Sequence, residues 1–176
     1  MAVDGRTLAQ QVQDGSLPPG TQTAPTSLGS YGASNVYVTM TAQSSTVGNN
    51  TQGQSELTVL ANSGDNVRWT IQTFDANMDY TAYLYSGSFN PAGAISALNY
   101  LPISATSYLP SSSNPLGPPT ATSEHTYAVQ GTILSPGETI QYTLSFALVN
   151  NVNGQTIGYF SWDPFIEVVV PVPQKS

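Results

Sequence analysis

Apolar and polar positions alternate along most of this chain from residue 35 onward. Val36, Val38 and Met40 interleave with Tyr37, Thr39 and Thr41, the period-2 pattern of a half-buried strand. Leu57, Val59 and Ala61 repeat it, and Val67, Trp69 and Ile71 follow after a turn at Gly64-Asp65. Residues 80–85 are dense in aromatic and β-favouring side chains. Residues 126–133 read as a further strand, and Tyr142, Leu144, Phe146 and Leu148 alternate strictly with Thr143, Ser145 and Ala147. Residues 157–162 and 166–170 close the chain, separated by Asp163-Pro164. No helix longer than two turns is evident. About seven to nine short strands with frequent turn signals predict an all-β fold, a two-sheet antiparallel β-sandwich. A barrel is the competing closure.

Two stretches depart from the alternation. In residues 1–30 a short helical turn over 8–13 is broken by Pro18-Pro19-Gly20 and Pro25. The segment reads as an irregular N-terminal arm or tail, either flexible or docked on a neighbouring subunit, with residues 31–176 forming the sandwich. Residues 86–125 contain Pro91, Pro102, Pro110, Pro115, Pro118 and Pro119. Short strands are expected near 95–101, and a large exposed excursion near 108–122.

Composition changes the picture of the surface. Only 7% of the 176 residues are charged, and three are cationic: Arg6, Arg68 and Lys175. Soluble monomers usually carry charge on roughly 25–35% of surface positions. Here Ser, Thr, Asn, Gln and Tyr must cover most of the outside. Such a surface packs against copies of itself without burying unpaired ions. The net charge of −7 argues against nucleic acid and anionic membranes, both of which attract basic clusters. Cys is absent, so neither disulfides nor thiol chemistry is available, which suits a reducing cytosol. No export signal or membrane span is evident, so a cytoplasmic location is expected.

The candidate chemistry is sparse. Asp75, Asn77 and Asp79 place oxygens at alternate positions, as in the first part of a calcium loop, but Tyr80 and Ser86 stand where that loop needs Gly and a terminal acid. A solvated loop between strands is the plainer reading, and no other cofactor is indicated. His125 is the single histidine, and its neighbour Glu124 points to the opposite face of a strand, a poor relay. With no Gly-x-Ser-x-Gly elbow either, no catalytic residue is signposted and no enzyme is expected. Tyr83, Tyr85, Tyr100 and Tyr108, with Tyr31, Tyr37, Tyr127 and Trp69, supply aromatic faces for a carbohydrate or small neutral ligand, although core packing at alternate positions accounts for most of them. Trp162, Asp163, Pro164 and Phe165 read as a structural corner. Pro164 interrupts a ladder, Asp163 accepts backbone N–H groups, and Trp162 or Phe160 fills the core.

The run Gly158-Tyr159-Phe160-Ser161-Trp162-Asp163-Pro164-Phe165-Ile166-Glu167-Val168 resembles the ending of the AidA/PixA family of bacterial inclusion-body proteins. Further pieces follow in the family's order: residues 35–40, the Gly53-containing turn over 52–57, the Gly64-Asp65 turn leading to Trp69, the Asp79-led aromatic strand, and the strand over 142–148. The resemblance implies a small β-rich protein that accumulates as cytoplasmic inclusions, in some members under quorum sensing in host-associated bacteria. It brings no catalytic residues. The function expected is therefore a non-catalytic, self-associating protein, a homo-oligomer or ordered assembly partnered with itself. A lectin-like module is the alternative.

Overall fold

The structure, a computed structural model, describes residues 1–30 and 32–168. Tyr31 lies outside them, as do the last two positions of the closing strand expected over 166–170. The described chain forms twelve strands, four of them only two residues long. They are β1 (Ala2–Val3), β2 (Thr26–Ser27), β3 (Val38–Thr39), β4 (Thr58–Ala61), β5 (Asn66–Thr70), β6 (Gln72–Thr73), β7 (Tyr80–Asn90), β8 (Asn99–Leu109), β9 (Thr120–Thr132), β10 (Thr139–Asn150), β11 (Thr156–Trp162) and β12 (Phe165–Val168), with one helix, α1 (Gly5–Asp14).

The β10 strand is the spine. β7 pairs antiparallel along one edge of it, and β11 followed by β12 pairs antiparallel along the other. Tyr142, Leu144, Phe146 and Leu148 are buried, as the alternation predicts. Ala147 and Ser145 on the opposite face are also buried, so both faces of the central strand are covered. Trp69 of β5 packs on Tyr142 at 5.5 Å and on Phe89 of β7 at 6.4 Å, stacking the sheet β5-β9-β8 over the large one. The result is the expected all-β sandwich, but its sheets are mixed rather than antiparallel throughout. β2 runs parallel to β11, β4 parallel to β12, and β1 parallel to β6. Parallel neighbours need long crossovers, and β4 and β12 are separated by most of the chain.

Residues 1–30 are built into this domain. Asp4 caps α1 by accepting the Thr7 N–H at 3.0 Å, and Gly15 ends it in a left-handed conformation. Leu8 and Val3 are buried, and α1 lies against β7 and β11. The following segment runs along the outer edge of β11: the Tyr159 N–H donates to Pro19 O at 2.7 Å and the Leu28 N–H to Ser161 O at 2.9 Å. It therefore extends this chain's own sheet, not a neighbour's. The close approach depends on Gly20, where φ is +63° and a Cβ would stand 2.6 Å from Thr26 N and Tyr159 O.

Candidate functional site

The feature that stands apart from the body is made by β8 and β9. They pair through eleven positions without a register shift, from Asn99 opposite Gln130 to Leu109 opposite Thr120. β5 covers the other edge of β9 only as far as Thr70 opposite Ala128. Beyond that point the ribbon runs on alone for eight pairs, a projection of about 27 Å at 3.4 Å per residue. Residues 121–127 are all exposed, as are most of 102–109. An isolated two-stranded ribbon is marginal in water and needs a covered face for independent stability.

Ser and Thr fill many of the ribbon's positions, but apolar side chains stand among them on both faces. One face carries Leu101, Ile103, Ala105 and Leu109; the other carries Tyr100, Pro102, Tyr127 and Tyr108. Leu109 is 47% exposed, Tyr108 68%, and Leu116 at the tip 98%. Its only ionisable side chains besides tyrosine are Glu124 and His125. The free edge of β9 over residues 120–127 has no Pro, Lys or bulge to blunt it, whereas β8 carries Pro102 and β7 carries a bulge at Tyr85. This corrects the expected excursion. Within the expected 108–122 excursion only residues 110–119 are irregular, flanked by β8 and β9, while residues 91–98 before β8 are turn and coil around a single bridge at Ile95.

The tyrosines collect at the ribbon's base. Tyr100 and Tyr127 stack at 6.2 Å, and Tyr85 meets Tyr159 edge-on at 5.6 Å. The Tyr100 hydroxyl donates to Tyr85 O at 2.9 Å. Desolvation first, then nearby Tyr100 and Tyr83, raises the Tyr127 pKa, which ties Tyr83 to the same patch. Of the four residues expected as a platform, Tyr83, Tyr85 and Tyr100 come together. Tyr108 sits at the far end of the ribbon, opposite Ala121.

The other expected residues take structural positions. The Asp75 carboxylate accepts from the Thr73 hydroxyl and from the Asp79 N–H at 3.1 Å, which holds its pKa below the usual carboxylate value, the Thr73 bond contributing most. Asn77 Oδ1 accepts from the Thr73 N–H at 2.9 Å, and Asp79 pairs with Arg6 at 2.5 Å. These oxygens build a turn between β6 and β7. Among the described residues, no group of three or more His, Asp or Glu side chains is gathered so as to hold a metal ion.

At the C-terminal motif, β11 and β12 hold the same register against β10 on both sides of Asp163-Pro164, with Leu144 opposite Trp162 and Gln141 opposite Phe165. Pro164 thus interrupts one continuous ladder and does not turn a corner. Asp163 accepts from the Gln141 side chain at 3.0 Å, and both Trp162 and Phe160 are buried. His125 Nδ1 lies 3.0 Å from Ser104 Oγ across the ribbon, an exposed pair that sequence spacing did not show. Glu124 projects from the other face.

A family model described as PixA, inclusion body protein, matches residues 1–168. The fold is similar to a crystal structure of an inclusion body protein from Burkholderia cenocepacia, with a TM-score of 0.70 and 19% identity over 95% of this chain and 91% of that one. No curated protein matches the chain.

Proposed function

The chain belongs to the PixA family of inclusion body proteins, and from that premise we propose that it is a non-catalytic protein whose copies associate with one another and accumulate in the bacterial cytoplasm as inclusions, under quorum control. The observation that carries this reading is the unsupported ribbon. Eight strand pairs with apolar or aromatic side chains on both faces and an unblunted edge find no partner within the described chain. A second copy supplies one by strand addition or by covering a face. The neutral surface supports the same reading. With 7% charged residues, contact between copies neither repels strongly nor strands ions.

The test is made in cells. Ala105→Lys with Leu109→Lys places two charges on exposed ribbon positions outside the core, across from Glu124 and Thr120. The expected result is an unchanged melting temperature and loss of the dense inclusions that the wild-type chain forms on expression, seen by thin-section electron microscopy. Inclusions of equal number and size in the doubly substituted protein contradict the role of the ribbon. A wild-type chain that remains dispersed contradicts the function itself.

A further inference from the structure

A cavity of about 400 Å³ opens between β4, β5 and the segment 40–46, away from the ribbon. Its size lies within the roughly 300–1,000 Å³ of small-molecule pockets. Met40, Leu57, Trp69 and Tyr142 form apolar wall, and Arg68 and Asp65 contribute one charge of each sign. Both charges are already engaged. Arg68 donates to Gln130 at 2.8 Å, and Asp65 accepts from the Asn62 N–H at 2.7 Å.

The wall contains one buried donor that the protein does not satisfy, and a second donor, outside the lining, touches Met40 of the wall. The Tyr142 hydroxyl has no hydrogen-bond partner, although nearly all buried polar side-chain atoms have one. Burial pushes this phenol well above its usual pKa, with the neighbouring Trp69 indole pulling weakly the other way, so it remains an O–H donor at any ordinary pH. The Trp162 indole N–H donates only to the Met40 thioether, at 3.3 Å, and sulfur is a weak acceptor. An orphaned donor inside a well-packed core is destabilising, so its retention beside a cavity calls for a reason.

We infer that this cavity is a binding site for a small molecule that carries a hydrogen-bond acceptor, such as a carbonyl, on an apolar body. The apolar wall receives the body, and the Tyr142 O–H receives the acceptor, with the Trp162 N–H exchanging sulfur for oxygen if Met40 shifts. Arg68 and Asp65 stand at the same cavity, so the acceptor and the apolar body, not a net charge, define the ligand. The site is independent of assembly through the ribbon.

Acetophenone and its isostere α-methylstyrene, which replaces the carbonyl oxygen with a methylene, serve as probes. The chain has two tryptophans, so its two indole N–H signals in a ¹H–¹⁵N spectrum report on Trp69 in this wall and on Trp162 through Met40. Titrated acetophenone is expected to shift both signals and to bind at least tenfold more tightly than α-methylstyrene. Tyr142→Phe is expected to abolish that preference while melting at the same temperature as wild type or higher. Indole signals that do not move with acetophenone overturn the proposal. So does a preference for the ketone that survives in Tyr142→Phe, or a Tyr142→Phe protein that melts lower, which shows the hydroxyl already satisfied.

Discussion

Single residues set the tightest constraints on this fold, and several act through backbone approach rather than chemistry. Gly20 allows the segment after α1 to lie along β11, and Gly158 faces it, where a Cβ would stand 2.8 Å from Pro19 O. Gly20→Ala is expected to cost about 1 kcal/mol or more, because it adds strain at positive φ to a clash with backbone. Thermal or urea melts check this, and an unchanged midpoint contradicts the packing described. Leu8→Ala is expected to cost about 2–5 kcal/mol, the range for emptying a buried leucine site. A surface-like loss below about 0.5 kcal/mol would place α1 outside the core. Neither position was legible in the sequence. Leu8 stands in a short amphipathic stretch hemmed by prolines, and its burial depends on contacts with β7 and β11, more than sixty residues away. Trp162 and Phe160, in contrast, were readable, because their alternation continues through the interrupting Asp163-Pro164.

Elements show where local signals suffice and where they fail. β5, β10 and β11 follow the hydrophobic alternation, since each turns its large apolar side chains to the core, even where β10 is covered on both faces. Most of β8 and the first half of β9 do not, because those stretches are exposed and Pro102 with the prolines of 110–119 reads as loop, whereas the end of β9, where Ala128 and Val129 are buried, does. Deleting residues 1–30, which would test a detached arm, is instead expected to unfold the protein, since Val3 and Leu8 leave with it. Circular dichroism of the truncated chain checks this, and a native spectrum contradicts it. The turn between β6 and β7 makes a pH-dependent contribution. The Thr73 hydroxyl holds the folded-state pKa of Asp75 below the usual carboxylate value, so its stabilisation is present above that value and lost as pH falls through the folded pKa. Melts taken from about pH 6 to pH 2 are expected to fall less steeply for Asp75→Asn than for wild type. Identical acid limbs contradict the role of the Thr73–Asp75 bond.

At the scale of the whole molecule, charge depletion and the ribbon describe one property from two directions. A body with a buried core still projects a strand pair that carries apolar side chains on both faces. Composition raises the expectation of association between copies but does not indicate the surface proposed for it. That surface depends on where β5 stops relative to β9, a register between strands fifty residues apart. Sedimentation velocity across concentration, comparing the wild-type chain with one in which residues 104–125 are replaced by Asn-Gly, tests the claim most directly. The wild type is expected to sediment as species that grow with concentration, and the shortened chain as a monomer with an intact near-ultraviolet spectrum. A monomeric wild type, or a shortened chain that assembles as the wild type does, contradicts it.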